Sequence, residues 1–342
     1  MEVFLLFFSQ IPELHHVEQL FYMGEFKKSL QIIEEFENKG GLNEDGQLQC
    51  QILKSHLYIQ MGQLKEGLKL AESAYNSSQR TSNVLTVIDA LIAKATVLCQ
   101  LGRSKECLHD VNEGENLLTK IVEDQHELAK RESSLKLIKG KVFRRMGELD
   151  QALEFIQESL TVRQEQGNVY ATADPLNTMG VIHVVRGELD LALSYLEQSL
   201  KIYKDIGNKS HIIKICNNMA NVYVSKAEYN RALELYQEAL ALSEKMGNKR
   251  YISVISLNIG LIKFNKGEIH SALEMYQKSL ALFEELDIKV ESALCLLNIG
   301  TVYNIRGELD LALEFYQRGL VIFEGENMKP EMASCFSNLG EI

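Results

Sequence analysis

The sequence predicts an all-α fold: antiparallel helix pairs stacked into a right-handed superhelical solenoid. Three observations carry that expectation. The 342 residues include only 3 Pro, where an average composition gives about 17, and a chain so poor in helix breakers favours many long helices. A nine-residue segment returns at intervals of 40, and a fixed period of that length marks a stack of like units. Small residues recur in register, as Ala152, Ala192, Ala232, Ala272 and Ala312 in one column and Gly140, Gly180, Ala220, Gly260 and Gly300 in another. Small side chains let two helices approach closely, so these columns mark helix crossings.

The repeat reads GELDQALEF from Gly147, GELDLALSY from Gly187, AEYNRALEL from Ala227, GEIHSALEM from Gly267 and GELDLALEF from Gly307. Weaker copies start at Gly24, Gly62 and Gly102, with steps of 38, 40 and then 45 residues up to Gly147. The chain therefore holds eight units, divided as residues 1–130 (degenerate helix pairs), 131–330 (five regular 40-residue units) and 331–342 (the first helix of an incomplete further unit). The 45-residue step places a bend around Asp124 to Glu132.

Within a unit, Gly180, His183 and Val184 before the turn and Ala192, Tyr195, Leu196, Ser199 and Leu200 after it lie at helical spacing, so each unit reads as helix, tight turn, helix. Glycine ends the first helix in a left-handed conformation, and Asp150, Asp190, Asn230 and Asp310 are the expected caps of the second helix. Gly167, Gly207 and Gly247, each followed by Asn, close their units in the same way. Pro12 and Pro330 fall where first helices begin, whereas Pro175 lies inside the register of one, so that helix starts late or is kinked. One hairpin cannot bury its apolar face alone, and neighbouring hairpins must stack.

These residues resemble the tetratricopeptide repeat. Its pattern of small, aromatic, small, aromatic and small positions reads Ala220, Tyr223, Ala232, Tyr236, Ala239, and again Gly300, Tyr303, Ala312, Tyr316, Gly319. The 40-residue length is similar to the longer-helix type in kinesin light chains and Pins/LGN-like adaptors, although the Trp of the first position and the closing Pro are missing. The resemblance runs from Gly24 to the C-terminus and is strongest from Ser134 onward.

The resemblance implies that first helices line a concave groove and that five positions around each small residue face a ligand. In this sequence the column two before the small residue is Thr178, Asn218, Asn258, Asn298 and Asn338. Neighbouring columns add Asn177, Asn217, Asn221, Thr301, Ser225, Asn265 and Asn304. An asparagine offers both a donor and an acceptor, which suits the backbone of an extended peptide, and the relatives named above grip partner segments with a similar ladder. The alternative is that these amides bond neighbouring units, and the apolar Val181, Leu257, Leu261 and Phe264 serve equally as packing or as pockets. Lys141, Arg144 and Arg145 sit at groove positions, where they meet acidic ligand residues or form a solvated face. Lys214 holds one position of the carboxylate clamp that some tetratricopeptide proteins use, but the full set is missing, which argues against docking of an acidic C-terminal tail.

Composition narrows the function classes. With 47 acidic against 36 basic residues the net charge is −11, the wrong sign for a nucleic-acid partner. The apolar run Phe4 to Phe8 lacks a basic leader and is too short for a signal peptide, and no stretch approaches the roughly 20 apolar residues of a membrane span. The six cysteines show neither paired spacing nor a nearby zinc-ligand histidine, as in a reduced cytoplasmic protein with inert packing thiols. No metalloprotease, nucleophile-elbow or phosphate-loop motif appears. The expectation is thus a cytoplasmic adaptor with no cofactor, metal, membrane or enzymatic role, binding a protein or peptide partner in its groove. The alternative is the sensor or assembly region of a larger regulatory protein whose effector domain lies beyond this chain. The terminal units, with Val3 to Phe8 and the end near Cys335 and Phe336, are the surfaces expected for homo-oligomer contacts.

Overall fold

The computed structural model describes residues 12–39, 42–122 and 125–340, so the Val3 to Phe8 segment lies outside the described residues. Every described element is helical. The chain divides into two compact units, one through His211 and one from Ile212.

The first unit stacks five hairpins: α1 (Pro12–Tyr22) with α2 (Phe26–Lys39), α3 (Glu44–Gln60) with α4 (Leu64–Ser78), α5 (Val84–Gln100) with α6 (Ser104–Leu118), α7 (Gln125–Met146) with α8 (Leu149–Glu165), and α9 (Ala173–Val185) with α10 (Leu189–Ile206). The second holds α11 (Lys209–Ser225) with α12 (Tyr229–Met246), α13 (Lys249–Asn265) with α14 (Ile269–Glu285), α15 (Lys289–Ile305) with α16 (Leu309–Gly325), and then α17 (Lys329–Gly340). Among the described residues the turns of these hairpins fall at the repeated Gly24, Gly62, Gly102, Gly147, Gly187, Ala227, Gly267 and Gly307. The 45-residue step is taken up in part by α7, which runs for 22 residues.

The turns work as the glycines predict. Gly187 sits at φ +77°, and the next amide, Glu188 N–H, reaches back to the His183 carbonyl at 2.9 Å, which satisfies carbonyls left over at the helix end. Ala227 takes the same left-handed conformation without being glycine, at φ +59°. The expected caps are corrected: the second helices begin one residue before Asp150, Asp190, Asn230 and Asp310, and the capping residues Glu148, Glu188, Glu228 and Glu308 make no side-chain cap bond. The three aspartates instead stand in the first turn, where the helix dipole favours negative charge. Asp150 also pairs with Arg186 of the next hairpin, and Asn230 accepts from Lys266 at 3.4 Å in the same relation. Pro175 is accommodated because α9 starts late, at Ala173, after a 3₁₀ turn at Tyr170–Thr172.

A buried serine holds successive helices together. Ser159 donates to the Ser133 carbonyl and Ser199 to the Ala173 carbonyl, both at 2.6 Å, and Ser279 donates to the Ser253 carbonyl at 2.8 Å. The small columns mark the crossings. A Cβ placed on Gly140 would lie 2.4 Å from Ile156 Cγ1 and 3.0 Å from the Ala152 carbonyl oxygen. Gly140→Ala is therefore expected to lower stability by about 1–3 kcal/mol in urea unfolding, whereas Gly325→Ala, with nothing within 4 Å, leaves it unchanged or slightly raised.

In the first unit, first helices touch one another directly, α3 with α5, α5 with α7 and α7 with α9, and this places them on the inner side of the stack. Asp45 of α3 accepts from Thr86 of α5 at 2.7 Å, and Asp89 of α5 pairs with Arg131 of α7 at 2.8 Å. The same unit contains a contact far outside nearest-neighbour order. Asn208 Nδ2 donates to the Tyr22 carbonyl at 2.6 Å, while its Oδ1 accepts from the His211 amide at 3.0 Å.

Candidate functional site

In the second unit the asparagine columns fall on α11, α13, α15 and α17. Asn258 Nδ2 donates to Asn217 Oδ1 at 3.1 Å, so α11 and α13 lie side by side and the amide of one column bonds the adjacent column of the preceding unit. Each of these two amides keeps hydrogen-bonding capacity beyond that bond. Asn218 is half-buried and bonded within the fold. Asn298, Asn304 and Asn338 are half-buried and Asn265 is exposed, and among the described residues their side chains form no hydrogen bond. Lys214 is exposed on α11.

The column one after the small residue is engaged internally. The Tyr236 hydroxyl donates to Asn221 Oδ1, and the Tyr316 hydroxyl donates to Thr301 at 3.2 Å while Thr301 itself donates to the Leu297 carbonyl at 3.0 Å. The aromatic of the second helix thus uses the polar group that the repeat offers, and burial pushes the Tyr236 hydroxyl well above its ordinary range.

In the first unit, Asn177 and Thr178 are 5% and 4% exposed. They lie in the packed interior of the stack, with the Thr178 hydroxyl turned onto the Asp174 carbonyl at 2.8 Å. Lys141 pairs with Asp174 at 2.6 Å, and Arg145 donates to the Gln100 carbonyl at 3.2 Å. Arg144 is half-buried, its Nε bonds to nothing among the described residues, and burial together with the neighbouring Arg145 charge pulls its guanidinium down from the usual value. The basic cluster therefore contains one cation set into the surface without a carboxylate.

Two groupings escaped the sequence. Asp89 and Arg131 are 42 residues apart and both buried; burial pushes the Asp89 carboxyl up to about 7 against the pull of Arg131. His109, Asp110 and Glu113 bring ligand atoms within 4.8 Å of one another, as His-Asp-x-x-Glu on α6 allows. Lys94 holds Asp110 at 3.0 Å and the Tyr75 hydroxyl holds Glu113 at 2.7 Å, so an ammonium already supplies the positive charge there.

The family model described as Tetratricopeptide repeat matches residues 132–205, 171–245, 211–285 and 251–325, which together take in more than half of the chain. The chain belongs to the tetratricopeptide-repeat family. Repeats of this family are generally non-catalytic scaffolds for protein interaction. No curated protein matches this tetratricopeptide-repeat chain in sequence. In fold it is similar to a Rap protein complexed with competence and sporulation factor, at 15% identity over 94% of this chain and 85% of that one, TM-score 0.67. It is also similar to the Rap conjugation gene regulator of plasmid pLS20 in complex with the Phr* peptide, at 14% identity over 94% and 99%, TM-score 0.63. A third similar structure is a signal transduction ATPase from Pyrococcus horikoshii with a tetratricopeptide repeat sensor, at 14% identity over 95% of this chain and 50% of that one, TM-score 0.64. At these identities the likeness is one of fold. No helix among the described residues is long and apolar enough to cross a membrane.

Proposed function

We propose that the chain is a non-catalytic scaffold that binds an extended segment of a partner protein along the asparagine-bearing faces of its first helices. The observation that carries this reading is the second unit's amide row. Asn258 bonds Asn217 of the adjacent column across neighbouring helices, and Asn298 continues the column of Asn258 half-buried, with its amide unused among the described residues. Such a row offers donors and acceptors at the spacing of successive units, which suits the backbone of an extended segment. The Rap protein and the plasmid regulator of similar fold are each bound to a factor or peptide, which supports a peptide as the ligand class. By itself, the first unit offers Arg144 with Arg145 as a contact for a carboxylate, since a half-buried guanidinium gains most from one.

The test is selection of a phage-displayed random peptide pool on the full chain. Peptides enriched on the wild type are then titrated against Asn218→Ala/Asn258→Ala/Asn298→Ala after its circular dichroism melt is matched to wild type. Losing three hydrogen bonds of ~0.5–1.5 kcal/mol each predicts a roughly 10- to 1000-fold drop in affinity. Equal affinity, or a variant that does not fold, assigns the row to packing and overturns the reading.

A second reading, a sensor region within a larger regulator, is favoured by the Pyrococcus ATPase, of which this fold accounts for 50%. A complete reading frame that carries no further domain would remove it.

A further inference from the structure

Four of the six buried cysteines sit apart, but two meet across one turn. Cys99 lies in the last turn of α5 and Cys107 in the first turns of α6, both in one apolar cluster, and their side chains hydrogen bond to each other. Cys107 Sγ also lies 3.1 Å from the Ala95 carbonyl oxygen. Cys99 is 6% exposed and Cys107 fully buried, so the pair has an outer and an inner member. The outer one faces cations: Lys141, Arg144 and Arg145 of α7 all favour its thiolate, and Arg145 reaches the carbonyl of the adjacent Gln100. The Cys107 hydrogen bond and these charges pull the Cys99 thiol down, while the same hydrogen bond and burial hold the Cys107 thiol up. Cys50 and Cys295 have no such surroundings, and burial raises both, to about 11 and about 12.

We propose that Cys99 and Cys107 are a peroxide-sensitive dithiol, in which Cys99 is the thiolate that reacts and Cys107 the thiol that resolves it into a disulfide. The Cys99 thiolate attacks one oxygen of a hydroperoxide; an S–O bond forms, the O–O bond breaks, and the leaving alkoxide or hydroxide takes a proton. Cys107 sulfur then attacks the Cys99 sulfenic acid; the S–S bond forms, the S–O bond breaks, and the departing hydroxide combines with the Cys107 proton as water. Two thiols lose two electrons and the peroxide gains them. The two thiols stand on either side of one tight turn and within hydrogen-bond reach of each other, so the hairpin already sets them as partners for a disulfide. The three cations supply the thiolate character that makes a cysteine selective for oxidants. Disulfide formation withdraws the thiolate from Arg144 and Arg145, so oxidation makes this cluster more positive. Its consequence for an acidic ligand rests on the peptide-binding reading above, whereas the chemistry does not.

The test is exposure of the reduced full chain to hydrogen peroxide, followed by alkylation of free thiols and tryptic mapping. The expected first product links the Cys99 peptide Ala95–Arg103 to the Cys107 peptide Glu106–Lys120, is reversed by dithiothreitol, and leaves Cys50, Cys216, Cys295 and Cys335 alkylated. Cys107→Ser should accumulate a dimedone adduct on Cys99, and Arg144→Gln/Arg145→Gln should slow oxidation of Cys99 several-fold. The wild-type mapping stands without any variant: oxidation of Cys99 no faster than of the other four cysteines, or no link to Cys107, overturns the proposal.

Discussion

Replacing Arg131 with alanine lowers the stability of the first unit by about 3–5 kcal/mol. Arg131 is 1% exposed and joins α7 to α5 through Asp89 at 2.8 Å, with Glu127 of its own helix at 3.0 Å. Truncation removes the cation that offsets the burial of Asp89, and the cost is that of a buried carboxyl left without its partner, which takes up a proton at neutral pH, more than of the lost contact. Removing both charges has the opposite outcome. Asp89→Leu with Arg131→Met replaces the pair by apolar groups and is expected to recover most of the loss, since buried pairs often return less in attraction than their desolvation costs. Urea unfolding followed by circular dichroism reads the global effect, and hydrogen exchange on α5 and α7 reads the local one, because stacked repeats open in pieces. A double variant as unstable as the single would show that packing, not charge, sets the site.

Two buried groups give stability opposite slopes against pH. Burial pushes the Asp89 carboxyl from 3.8 up to about 7, so the folded chain holds that proton more tightly than the unfolded one. Its contribution is fully present below pH 3.8 and is lost as pH rises to about 7. Burial pulls the His56 imidazole from 6.5 down to about 4, so the folded chain holds this proton less tightly. Its contribution is present above pH 6.5 and is lost as pH falls to about 4. Each displacement amounts to ~3–4 kcal/mol, and across the shared window the two oppose. The expected wild-type profile is accordingly shallow. His56→Gln exposes a stability that falls with rising pH, and Asp89→Asn one that rises, in urea midpoints measured from pH 4 to pH 7. Two variants that both keep the wild-type profile would refute the assignment.

The hairpins were legible because the glycines and alanines that mark turns and crossings keep a strict 40-residue period, and their geometry is local. The departures share a different origin. Asp150 reads as a cap from its distance to the glycine, but the 6→1 bond from Glu148 N–H to the Phe143 carbonyl at 3.0 Å starts the next helix one residue sooner. Ser159 reads only as small, and its bond to Ser133 appears once the helices are paired. Asn221 reads as a ligand position, yet a tyrosine 15 residues on, Tyr236, bonds it. Arg131 and Asp89 lie in and beside the degenerate units, where no period points one residue at the other. Cys99 and Cys107 are too far apart in sequence for a paired motif, and the tight turn between α5 and α6 brings them together. The candidate site was readable as a column of residue types; which members the fold itself consumes depends on partners a unit away.

The bond from Asn208 to the Tyr22 carbonyl spans 186 residues. A linear array of repeats has two free boundaries and frays from each independently. Here one amide grips the turn of the first hairpin while its oxygen caps the helix that follows the fifth, so within the first unit those boundaries are joined. Gly24 fits this contact closely, since a Cβ there would stand 3.1 Å from Asn208 Oδ1. Melting of either end therefore costs the other a hydrogen bond, and the first and fifth hairpins of the unit are coupled across the three between them.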